Sequence, residues 1–138
     1  MWHRRRRGRL GVKTKHRKAL LRNLVRGLVL NRRIETTLTR ARETSRFADK
    51  MVTIAREGTL ASRRQLIRRL GSSEIAGLLM DQIAPHFKER NGGYTRVLKT
   101  TNRPGDGALK ALVEFSVPIE IKPREEKAKK AKKEKTKE

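Results

Sequence analysis

The chain has no cysteine, one tryptophan, one tyrosine and three phenylalanines, and its first acidic side chain is Glu35. Without cysteine neither a disulfide nor a Cys-based zinc site can form, and composition says nothing of redox compartment. No apolar run approaches the roughly 20 residues that span a bilayer. The arginine-rich start lacks the hydrophobic region of a secretory signal. A soluble, intracellular protein is the expectation. Catalytic order is missing as well: no Ser/His/Asp arrangement, carboxylate pair or metal-ligand spacing emerges. A phosphate-loop reading of GGYTR fails, because no Lys-Ser/Thr follows the glycines and no strand precedes them. No enzyme, cofactor, metal or small-molecule substrate is expected.

Positive charge is what the sequence has in excess: 37 Lys and Arg against 14 Asp and Glu, a net charge of +23 over 138 residues. A single modest domain at that charge repels itself, so it calls for a polyanion. Residues 1–34 carry thirteen Lys and Arg and no acid, 35–121 fifteen against ten, and 122–138 nine against four. The excess sits at the two ends.

The pattern divides into a basic arm over 1–15, a globular domain over 16–121 and a Lys/Glu-rich tail over 122–138 that is expected to be disordered when free. From His16 the pairs Leu20/Leu21, Leu24/Val25 and Leu28/Val29 fall at helical spacing, with Thr14 placed to cap. Asn31–Arg33 break the pattern, and RIETTLT alternates as a single strand. A second helix is expected over Arg40–Glu57, buried through Phe47, Met51 and Ile54 and stopped by Gly58. A third, LASRRQLIRRL, turns Leu66, Ile67 and Leu70 inward and ends at Gly71. A fourth, EIAGLLMDQIA, opens on a Ser72 or Ser73 cap, buries Ile75, Leu78, Leu79 and Ile83, and stops before Pro85. YTRVLKT and LKALVEFSV then alternate around TNRPGDGA as an antiparallel hairpin. The order is helix, strand, three helices and a two-strand hairpin. It predicts a two-layer α+β domain whose strands share one small sheet.

Within the arm, Arg4, Arg5, Arg6 and Arg7 stand beside Trp2 and His3, offering phosphate forks together with rings that stack on unpaired bases. Arg9, Lys13, Lys15, His16 and Arg17 carry the basic run into the first helix, where Lys18, Arg22 and Arg26 form an i, i+4, i+8 row. An ordinary solvated helix face pairs its cations with acids at i, i+4, and no acid exists there, so the row reads as phosphate contact. Arg63, Arg64, Arg68 and Arg69 read either as phosphate contacts or as a face partly neutralised by Glu57 and Glu74. Further on, RNGGYTR sets Arg90 and Arg96 around Gly92 and Gly93, and Arg103 follows in the hairpin loop. One of these glycines closes a left-handed turn, while a turn without side chains also lets N–H groups approach a phosphate; both can hold at once. His86 reads as a surface or capping residue.

The apolar faces are all claimed by one core, which leaves none to insert into a membrane. No helix-turn-helix or zinc-finger spacing is present, and flexible basic ends on a compact core suit folded RNA better than DNA. The alternative is a free basic accessory factor or chaperone of nucleic acid.

Met-x-His-Arg at the start, HRKALLRNL, IETTLTRAR followed by DKMVTIAR, SRRQL, IAPHFKER, and GGYTRVLK with RPGDGA before ALVEF occur here in one order and spacing. Through about Phe115 the chain resembles the family of bacterial large-subunit ribosomal protein seventeen. Trp2 stands where that family usually has Arg, and Arg42 where Lys is usual. The resemblance implies an α+β fold and a structural role on large-subunit ribosomal RNA, with Arg90, Arg96 and Arg103 of the hairpin meeting RNA backbone and Tyr94 serving as strand packing ahead of an RNA-facing hydroxyl. It further implies a cytoplasmic place on the solvent side of the subunit, near the peptide exit tunnel and beside ribosomal proteins twenty-two and thirty-two. Nothing of it extends to residues 122–138.

Overall fold

The computed structural model describes residues 8–119; Trp2, His3, Arg4–Arg7 and the tail lie outside the described residues. Apolar side chains at helical spacing set α1, Thr14–Asn31, which buries Val25, Leu28 and Val29. It starts earlier than His16, and Thr14 is its first helical residue rather than its cap. Lys13 holds the cap position without a side-chain hydrogen bond. The helix ends at Arg32, whose left-handed backbone (φ 65°) lets its N–H bond Leu28 O at 2.8 Å.

Strand β1, Arg33–Thr37, runs directly into α2, Leu38–Arg56. Leu38 and Thr39, expected in the strand, are helical because Leu38 packs against the core. The buried face of α2 is Ala41, Thr44, Ala48, Met51, Val52 and Ala55, with the expected Phe47 and Ile54 only half-buried. Small side chains let α2 approach closely on several sides, and it touches all three strands as well as α1 and α3. Thr44 survives burial because its hydroxyl donates to Arg40 O at 2.8 Å.

Helix α3, Leu60–Leu70, is capped by Thr59, which accepts from Ser62 N at 3.1 Å, and stops at Gly71 with φ 74°. Leu66 and Leu70 are buried, Ile67 partly. Ser72 caps α4, Ser73–Leu78. Here the expected single helix to Pro85 is corrected: α4 opens into a π-helical turn over Leu79–Ile83 and then a 3-10 turn over Ala84–Phe87. Pro85 has no N–H, and its ring would meet the Asp81 carbonyl in a straight α-helix, so the ladder changes pitch before it.

Strands β2, Thr95–Asn102, and β3, Leu109–Phe115, complete an antiparallel sheet of order β1-β3-β2. Val113 lies opposite both Ile34 and Val97. Alternation puts Ala111, Val113 and Phe115 against the helices and Lys110, Leu112 and Glu114 on the far face. The fold is α+β, with helices on one face of the sheet. From Leu98 to Gly107 every residue is exposed, so the hairpin tip stands out from the body.

Candidate nucleic-acid interface

Helix α1 begins with Lys13 at its cap and Lys15, His16, Arg17 and Lys18 in and beside its first turn, with no acid and no side-chain cap. The N-terminal end of a helix already carries partial positive charge, and each cation placed there costs about 0.3–1 kcal/mol. An arriving phosphate reverses that sign. Lys13, Lys15, His16 and Lys18 are exposed; Arg17 is half-buried, its guanidinium turned to Gly8 O at 3.5 Å. Arg9 is exposed just upstream.

The Lys18, Arg22 and Arg26 row is not uniform. Lys18 and Arg26 are exposed and make no ion pair among the described residues. Arg22 instead reaches the end of α3, donating from Nε to Arg69 O at 2.7 Å and from Nη2 to Arg68 O at 3.1 Å. It thereby satisfies carbonyls that the helix terminus leaves open. Arg63, Arg64, Arg68 and Arg69 are all exposed on α3.

Ion pairs among the described residues join Arg46 to Glu43, Arg96 to Glu114, Arg103 to Asp106 and Lys110 to Glu35. None involves a cation of α1 or α3. Charge is therefore paired on the sheet side and on one flank of α2, and left unpaired on the helical side.

In RNGGYTR the ring of Tyr94 is buried, edge-on to Phe87 at 5.2 Å, and its hydroxyl donates to Arg90 O at 3.2 Å. Arg56 donates from Nη1 to that hydroxyl at 2.8 Å and from Nη2 to Lys88 O at 2.7 Å. Gly93 takes the left-handed turn at φ 63°, while Gly92 has an ordinary backbone. Arg90 is exposed, bonded to Ser116 Oγ at 2.6 Å. Arg96 meets Glu114 across the strands at 2.5 Å. Arg103 forks onto Asp106, and that bond, with the Ala108 N–H behind it, holds the Asp106 carboxyl down to about 2.

Sequence reasoning missed three side chains that organise this surface. Arg56 ties the loop to α2, and its nearest signal is a basic residue in a helix's last turn. Arg32 folds its guanidinium back to Val29 O at 2.5 Å and across to Gln82 Oε1 at 2.8 Å, with burial pushing its pKa down. Asp49 accepts from the Thr95 hydroxyl at 2.9 Å; burial raises its pKa, opposed by that bond. Among the described residues no cluster of His, Asp or Glu has metal-ligand geometry, and no helix is long and apolar enough to cross a membrane.

A protein-family model described as Ribosomal protein L17 matches residues 20–116. Three curated relatives each bear the name Large ribosomal subunit protein bL17. The one from Fusobacterium nucleatum is 46% identical over 107 residues, covering 78% of this chain and 92% of the relative. That from Methylacidiphilum infernorum is 44% identical over 123 residues, 87% and 94% respectively. That from a Sulfurihydrogenibium species is 49% identical over 104 residues, 75% and 86%.

Proposed function

We propose, because this chain belongs to the ribosomal protein L17 family, that it is a structural constituent of the cytoplasmic large ribosomal subunit of bacteria. It is a scaffold rather than an enzyme, and its partners are ribosomal RNA and neighbouring ribosomal proteins. The finer reading is that RNA lies against α1 and α3, with the arm from Trp2 to Arg7 and the Gly92–Gly93 turn as further contacts. What supports it is the segregation of charge: among the described residues, cations on those helices form no ion pair, whereas cations of the sheet do. Unpaired cations gathered on one side are stabilised when phosphates replace the missing acids.

Arg63 and Arg64 join Lys18 and Arg26 in that role. Arg96 and Arg103 reach RNA only with their acids alongside, as positioning contacts. A location on the solvent side near the exit tunnel, beside ribosomal proteins twenty-two and thirty-two, is supported by the ordered motifs from HRKALLRNL to ALVEF. Sedimentation of a lysate tests the role: the protein is expected to travel with the large subunit in equimolar amount and to come off only at high salt. Its recovery in the soluble fraction at physiological salt contradicts the proposal.

A further inference from the structure

Between α1 and α3 lies a cleft of about 450 Å³, within the roughly 300–1,000 Å³ of small-ligand sites. Its apolar residues are Leu21 and Phe47; its cations are Lys18, Arg22, Arg68 and Arg69, with no acid among them, and Gln65 adds an amide. A second cleft, of about 640 Å³, runs along the other side of Leu21 and Phe47 and differs in containing Glu43 and Asp49. Phe47 is half-buried, whereas Phe87, Tyr94 and Phe115, the other described aromatic rings, are in the core.

We infer that the acid-free cleft is a pocket for one unpaired nucleobase of the bound RNA, taken against Phe47 while the flanking phosphates lie on Lys18, Arg68 and Arg69. The inference rests on the RNA-binding reading above and names a contact within it. Phosphate alone would leave Leu21 and Phe47 wet. A base supplies a π face for the ring, and the Gln65 amide, donor and acceptor at once, suits a base edge. The cleft is preformed, because Arg22 is fixed by the two α3 carbonyls at 2.7 and 3.1 Å and holds the two helices together. The ring, rather than the charge, selects the occupant: an acidic peptide would match the cations and leave Phe47 without a base to stack on.

The test compares the full chain with F47L, and with F47W as a variant that keeps a ring, on a short single-stranded RNA and on a blunt RNA duplex of equal length. F47L is expected to bind the single strand about tenfold more weakly with an unchanged salt slope and unchanged duplex binding, and F47W to retain affinity. A photoreactive phenylalanine analogue at position 47, in assembled large subunits, is expected to cross-link to a nucleotide. Single-strand binding by F47L equal to that of the parent, equal weakening on the duplex, or a cross-link to protein overturns the pocket while leaving RNA binding intact. Failure of the parent chain to bind either RNA overturns the RNA-binding reading and the pocket with it.

Discussion

Arg32 shows how one residue reconciles a strained backbone with a half-buried charge. A left-handed conformation costs a non-glycine residue about 1–2 kcal/mol, and the two guanidinium bonds to Val29 O and Gln82 Oε1 offset it. Replacing Arg32 by Ala keeps the strain and loses the bonds, a cost of about 2 kcal/mol. Arg32→Gly loses the bonds and the strain together, and is expected to be about 1 kcal/mol less destabilised than the alanine variant. Denaturant unfolding of the pair checks the order, and an alanine variant at least as stable as the glycine one contradicts it. Neither this clamp nor the bond between Arg56 and Tyr94 was legible in the sequence, because each joins residues 38 or 50 positions apart. Local signals did register: the packing role of Tyr94, a left-handed turn within the Gly92–Gly93 pair and the stop at Gly71 all follow from side-chain size or its absence.

Helices and strands were legible wherever periodicity was strong, including the lone strand that pairs with the later hairpin. The exceptions have local causes. Thr14 entered its helix, Leu38 left its strand for the core, and Pro85 changed the pitch of the last helical segment. Periodicity also read the α1 row as one cationic stripe, whereas packing against α3 splits it. Arg22 is a helix-capping strut as well as a charge, so Arg22→Gln is expected to cost about 1 kcal/mol of stability. Lys18→Gln and Arg26→Gln, on the exposed face, should stay within about 0.5 kcal/mol of the parent. Thermal or denaturant melts of the three single variants decide this; equal stability of all three means that the strut carries no load.

At the scale of the molecule, composition revealed that a polyanion is required but not which side faces it. That choice emerges only when the sheet brings Glu35 and Glu114 against Lys110 and Arg96, neutralising one side, while the exposed cations of α1 and α3 form no ion pair among the described residues. The pairing depends on strand register, which a sequence does not display. The central claim is that the unpaired helical side, and not the paired sheet side, carries the phosphates. The direct measurement is the salt dependence of ribosomal RNA binding for two variants. One replaces Lys18, Arg26 and Arg64 by Gln; the other replaces Arg96 and Lys110 by Gln. The helical-side variant should lower the log–log slope by about two to three, whereas the sheet-side variant should leave it within about one of the parent. An equal or larger loss of slope in the sheet-side variant contradicts the account.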